Sequence, residues 1–215
     1  MRIEDFGAGD PAAARSREAM ARGRVIERTV GATCLGASKP PLGSRLLFLL
    51  VRRFRPRVCL ELGCCLGISA AFQAAALALN GDGGRLWSLE GAPALARAAR
   101  RNLAQLALDV EVVEGRFQDT LPPLLSAIDP IDYAFVDGHH DELATLEYFE
   151  RVVSACAPRA LLVFDDIRWS DGMRRAWETI ARDPRAGATI DCGEVGLCVV
   201  DSTIRERVRA RAPLA

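Results

Sequence analysis

Residues 58–69, Val-Cys-Leu-Glu-Leu-Gly-Cys-Cys-Leu-Gly-Ile-Ser, narrow the folds open to this chain, because they join a buried strand to a helix through a glycine turn. Residues 58–62 are apolar and begin β-branched, Gly63 and Gly67 bracket the turn, and an Ala- and Leu-rich helix runs from 68 to 79. It stops before Asn-Gly-Asp-Gly-Gly at 80–84. The alternation then continues, with strands expected at 85–89, 110–114, 133–136, 161–164, 189–192 and 197–200 and helices between them. One helix opens on Pro93 and reaches Leu106; another, capped by Ser170 and Asp171, runs over 172–182. Such alternation is the mark of an α/β fold with a parallel sheet covered on both faces. Only Gly-Glu-Val-Gly at 193–196 separates the last two strands, too short for a crossover, so they form a hairpin.

The charges around the turn limit what it can bind. Dinucleotide sites use Gly-x-Gly-x-x-Gly so that pyrophosphate can approach the backbone at a helix N-terminus, whereas Gly63 and Gly67 stand here without the central glycine. Glu61 puts a negative charge at the strand end, which repels phosphate and suits an ammonium or a sulfonium. Glu90 ends the next apolar run, where an acid in a doubly wound fold can accept hydrogen bonds from both ribose hydroxyls.

With these residues the chain resembles the class I S-adenosylmethionine-dependent methyltransferases from about residue 57 to 200. Residues 61–67 resemble the family's first motif, Glu90 its ribose-binding acid, and Gly115-Arg116-Phe117-Gln118 the segment beside the adenine. Asp137-Gly138-His139-His140 and Val163-Phe164-Asp165-Asp166-Ile167 narrow the resemblance to the metal-dependent O-methyltransferases that include the catechol and macrolide-sugar enzymes, and there to small bacterial proteins. The resemblance implies a Rossmann-like, doubly wound sheet of seven strands, mostly parallel with a C-terminal antiparallel hairpin. It also implies S-adenosylmethionine as cofactor and a homodimer. The cofactor-binding residues it implies are Glu61, Gly63, Cys65, Gly67, Ser69, Glu90, Gly91, Gly115, Arg116, Phe117 and Asp137.

Open parallel sheets bind ligands at the carboxyl edge, and three acids follow strands there, Asp137 after 133–136 and Asp165 with Asp166 after 161–164. Like charges that close call for a cation, and oxygen ligands favour a hard divalent ion such as Mg²⁺. The family's metal-ligand positions match Asp137, Asp165 and Asp166. A plainer reading, in which Asp137 touches only cofactor and Asp165 or Asp166 caps a turn, stays open. The metal would bind a substrate hydroxyl and lower its pKa, leaving alignment and the loss of one proton. Candidate catalytic residues are Asp137, His139 and His140; the two histidines are the only ones in the chain and can accept that proton near neutral pH. By resemblance His139 takes the place of a catalytic aspartate in sugar methyltransferases and His140 that of a catalytic lysine in catechol enzymes. Trp169 is expected to wall the pocket, Trp87 to pack near the adenine and Trp177 to be core.

Residues 1–56 read as a helical lid or oligomerisation segment, 57–201 as the cofactor-binding core and 202–215 as a charged tail. In the first segment Asp10-Pro11 starts a helix through Arg28, 31–43 is a loop, and 44–54 is a second helix. The Arg-rich stretch 205–211 reads as a solvated helix end. No linker interrupts the middle of the chain, and half its residues are apolar, enough for one large core. The 28 basic and 28 acidic residues cancel, so no global field favours nucleic acid or an anionic membrane. Lys39 is the sole lysine, which reads as an arginine-favouring base composition. Seven cysteines without a Cys-x-x-Cys pair read as reduced, mostly buried thiols. The N-terminus shows no apolar signal core and the run 46–51 is too short to span a bilayer, so a cytoplasmic protein is expected. The acceptor expected is a small hydroxylated molecule. A nucleotide-linked dehydrogenase is disfavoured by the missing glycine and by Glu61; a metal-independent methyltransferase with a histidine base and a catalytically silent cofactor-binding protein are the alternatives.

Overall fold

Side-chain alternation along the central strands sets the layers. In β3 (Val58–Leu62) and β6 (Ile131–Val136), Cys59, Tyr133 and Phe135 enter one apolar cluster, while Leu60, Leu62, Ala134 and Val136 enter another. That two-residue period feeds a core on each face of the sheet. The computed structural model describes residues 1–7 and 15–213. From edge to edge, the main sheet comprises β10 (Val208–Arg211), β8 (Ala186–Asp191), β9 (Gly196–Asp201), β7 (Cys156–Phe164), β6, β3, β4 (Arg85–Glu90) and β5 (Val110–Glu114). Only β9 runs against its neighbours, β7 and β8; the other pairings are parallel.

Helices α3 (Pro41–Phe54), α4 (Ile68–Asn80) and α5 (Pro93–Gln105) cover the first face through Val51, Ala70, Ala99 and Leu103. Helices α6 (Phe117–Ala127), α7 (Glu142–Ser154) and α8 (Asp171–Arg182) cover the second through Leu121, Tyr148, Val152 and Ile180. Ser170 caps α8 as expected, its Oγ accepting from the Met173 N–H at 3.1 Å. Trp177 is core, as expected. Trp87 is also core, packed with Leu60 and Leu89 on the second face.

Two segments differ from the sequence reading. The tail forms an eighth strand, β10, in register with Ala188 to Asp191 of β8. Its four residues are all exposed, so no apolar pattern marked it, and its backbone alone completes the edge. Its arginines leave the new edge charged, which discourages further strand addition.

The N-terminal segment is not simply helical. β1 (Arg2–Asp5) pairs antiparallel with β2 (Arg24–Glu27), α1 (Arg17–Arg22) lies between them, and α2 (Val30–Ala37) precedes α3. The expected start at Asp10-Pro11 lies outside the described residues. At the other end the helix stops at Gly23, whose φ of 68° breaks it, and Val25 and Ile26 continue as strand. The expected loop over 31–43 is largely helix, because the Thr29 side chain caps α2 by accepting from the Ala32 N–H at 3.0 Å. Ile3 fastens the hairpin to the core among Leu66, Ala92, Leu95 and Ala98. No helix among the described residues is long and apolar enough to cross a membrane.

Candidate active site

The turn after β3 is built by close backbone approach. The N–H groups of Gly63 and Cys64 both donate to the Leu89 carbonyl, at 3.0 and 3.1 Å. Gly63 has φ 109°, and a Cβ there would fall 1.8 Å from the Asp137 carbonyl oxygen. The ends of β3 and β6 therefore touch through a position that accepts only glycine. In front of them opens a cavity of about 510 Å³, within the size range of small-ligand sites. The N-terminal hairpin and residues 36–40 form its far wall.

Of the residues expected to bind cofactor, Gly63, Cys65, Glu90, Gly91, Arg116, Phe117 and Asp137 line this cavity. Glu90 accepts from the Cys65 N–H at 2.7 Å and the Ala92 N–H at 2.8 Å. Burial pushes its carboxyl up to about 7 against those two hydrogen bonds. Gly67, Ser69 and Gly115 shape the adjoining turns and do not line the cavity. Glu61 is turned beneath the loop rather than toward a ligand. It is fully buried, accepts from Gln73 Nε2 at 2.7 Å and from the Ser88 hydroxyl, and so ties β3 to α4 and β4. Burial pushes its carboxyl up to about 7 as well.

The three acids do converge at the sheet edge, but unequally. Asp137, His140 and Asp166 offer ligand atoms within 4.8 Å of one another. His140 Nε2 lies 4.0 Å from Asp137 Oδ1 and Nδ1 lies 3.5 Å from Asp166 Oδ2. Asp165, its side chain only 1% exposed, instead pairs with the Lys39 ammonium, which also lies 3.7 Å from Asp137 Oδ2. Burial raises the Asp137 carboxyl, and the Lys39 charge opposes that rise. His139 Nδ1 shares a 2.7 Å hydrogen bond with the Tyr148 hydroxyl, and burial lowers the pKa of its imidazole. Trp169 walls the cavity, its ring 5.5 Å from that of His140. His139, His140 and Asp166 all hold left-handed backbone, at φ 71°, 49° and 53°. With Cys65 at φ 48° in the turn after β3, four such non-glycine residues at one edge mark a place where geometry is held against local preference.

The methyltransferase domain family matches over residues 60–167, the stretch that carries the turn, Glu90 and the strand-end acids. The chain belongs to the S-adenosylmethionine-dependent methyltransferases. The chain is 33% identical over 133 residues to the catechol O-methyltransferase of Niastella koreensis, a match covering 60% of this chain and 58% of that protein. It therefore spans less than two thirds of that relative's length. Among solved structures, the O-methyltransferase from Bacillus cereus in complex with SAH superposes with a TM-score of 0.68 at 27% identity, over 80% of this chain and 86% of that one. Cofactor-bound Rv0187 from MTB gives 0.66 at 26% identity, over 80% and 83%.

Three further side chains stand at or beside this cavity without having been marked as site residues by the sequence. Lys39 reads in the sequence as base composition, and only the structure puts its ammonium on the strand-end acids. Tyr148 reaches His139 from α7. Phe6 lines the cavity from the hairpin and lies 5.3 Å from the Arg116 guanidinium, face to cation.

Proposed function

We propose that this methyltransferase transfers the methyl group of S-adenosylmethionine to a hydroxyl oxygen of a small molecule, at an edge that holds a divalent cation. The observation that carries the reading is one cavity shared by the Glu90 carboxylate, the Asp137–His140–Asp166 group and Trp169. The names of the catechol and Bacillus cereus relatives agree with oxygen as the acceptor atom. S-adenosylmethionine supplies a methyl carbon already activated by positively charged sulfur, and a bound divalent cation would lower the pKa of the accepting hydroxyl.

The donor set fits such an ion: two carboxylates and an imidazole, with His140 Nδ1 buried and without a hydrogen-bond partner. The nitrogen donor makes the set less selective for Mg²⁺ than three carboxylates. Glu90 accepts hydrogen bonds from the ribose. The turn at Gly63 and the Asp137 backbone fix the depth at which the cofactor sits. His139, whose imidazole pKa is lowered by burial and whose Nδ1 is bonded to Tyr148, would take the hydroxyl proton. Trp169 and the N-terminal cover exclude water and give an acceptor ring a flat wall.

One observation favours a second reading, transfer without a metal: the acid edge already contains the Lys39 ammonium. Product analysis after incubation with S-adenosylmethionine and a panel of catechols, vicinal diols and monohydroxy compounds, with and without chelator, tests both. Methylated oxygen in a chelator-sensitive reaction is expected. Cofactor binding without product from any hydroxyl compound would refute O-methylation, and full turnover in excess chelator would leave the metal-free reading.

A further inference from the structure

We propose that Lys39 is the resident cation of the acid edge: it closes Asp165 to external metal and leaves only Asp137, His140 and Asp166 open to an ion. The inference rests on the reading of that edge as a place for cations.

Asp165 is the most deeply buried of the three acids, and a desolvated carboxylate must be paired to stay charged. Among the described residues its cationic partner is Lys39, whose own side chain is 13% exposed. The site around that side chain is shaped to it. Lys39 precedes Pro40 and Pro41, whose rings stiffen the entry to α3, and Pro40 sits at φ −62°. At Gly43, one turn into the helix, an added Cβ would come within 2.9 Å of Lys39 Cγ and Cδ, so the absent side chain makes room for the lysine stem. The ammonium reaches past Phe135 to both carboxylates, 6.0 Å from that ring and 3.7 Å from Asp137 Oδ2.

The electrostatic consequence is direct. A divalent ion coordinated by Asp165 would stand beside an ammonium already seated on the same carboxylate, and like charges in a poorly solvated place repel strongly. The ion and the lysine are therefore alternatives at Asp165. At Asp137 the ammonium stands off at 3.7 Å from Oδ2 and leaves Oδ1, the oxygen nearer His140, to an ion, and Asp166 pairs with His140 and not with the lysine. Because Lys39 belongs to the connection between α2 and α3, the same pair also fastens the N-terminal cover to the strand ends.

The test is Mn²⁺ binding to the full chain saturated with S-adenosylhomocysteine, read by the loss of the free-ion paramagnetic resonance signal. Lys39→Met keeps the stem and removes the charge; it is expected to bind Mn²⁺ about ten-fold more tightly than the wild type or better. Lys39→Arg should behave as the wild type, and Asp165→Asn added to Lys39→Met should abolish the gain. In the wild-type background Asp165→Asn should leave Mn²⁺ affinity unchanged, a control that does not require Lys39→Met to fold. Equal or weaker binding by a folded Lys39→Met, a gain that survives Asp165→Asn, or loss of wild-type binding on Asp165→Asn would each overturn the proposal. A wild type that binds no Mn²⁺ beside a Lys39→Met that does would support it while retiring the metal-assisted reading. Wild-type binding without a gain would do the reverse.

Discussion

Replacing Gly63 by alanine separates two costs that glycine avoids in this fold. Gly63 and Gly81 both have positive φ, at 109° and 71°, but nothing lies within 4 Å of where a Cβ would stand at Gly81, whereas at Gly63 it meets the Asp137 carbonyl oxygen at 1.8 Å and its carbon at 2.8 Å. Left-handed backbone costs an L residue about 1–2 kcal/mol. That is the whole expected penalty of Gly81→Ala. Gly63→Ala carries at least the same penalty and must also push the ends of β3 and β6 apart, an overpacking cost of about 1–3 kcal/mol. Its expected destabilisation is therefore about 2–5 kcal/mol. For a chain of this length each kcal/mol lowers Tm by roughly 2–4 °C. Calorimetric melting of the two variants measures the difference, and titration with S-adenosylhomocysteine measures its consequence at the cavity. Gly63→Ala should lose about ten-fold in affinity or more, the equivalent of one hydrogen bond to the ligand, while Gly81→Ala binds as the wild type. Equal Tm values for the two variants, or unchanged affinity in Gly63→Ala, would refute the argument that the cofactor wall depends on this approach of two strands.

Glu61 has a carboxyl raised by burial from its ordinary 4.5 to about 7, so its neutral form stabilises the fold fully below pH 4.5 and this contribution disappears as pH rises through about 7. Glu61→Gln should flatten the fall in stability across that window, as followed by urea midpoints at several pH values; an unaltered slope would place the titration elsewhere. Glu90→Gln removes the charge facing the proposed ribose position and should weaken S-adenosylhomocysteine by about ten-fold with little change in Tm, and unchanged affinity would remove Glu90 from the cofactor site. Tyr148→Phe deletes the 2.7 Å hydrogen bond to His139 and should cost about 1 kcal/mol in stability. It should also lower kcat without altering cofactor affinity. A variant with wild-type kcat would show that His139 needs no such support.

The strand and turn at 58–69 could be read from the chain because their signals are local: an apolar run, two glycines and an alanine-rich helix lie within a few turns of one another. The same holds for the strands that carry Glu90, Asp137 and Asp165, each a short buried run ending in an acid. The N-terminal hairpin was harder, since β1 and β2 are four residues each and recognise one another across α1. β10 left no pattern at all, being an exposed strand that backbone pairing ties to β8.

What the sequence by itself determined is therefore the alternation of elements, the glycine turn and the delivery of acids to one edge of the sheet. Tertiary structure decided where those acids point. Glu61 stands next to last in its run and Glu90 last in its own, and the two read alike, yet one is buried under Ser88 and Gln73 and the other faces the cavity. Asp165 and Asp166 are neighbours in sequence, yet Asp166, in left-handed backbone, stands beside His140 while Asp165 meets Lys39 from the connection between α2 and α3. Local propensity records which residues can form a strand or stop a helix. The partner of a buried charge is chosen by desolvation and distance, and both exist only after segments remote in the chain have packed together.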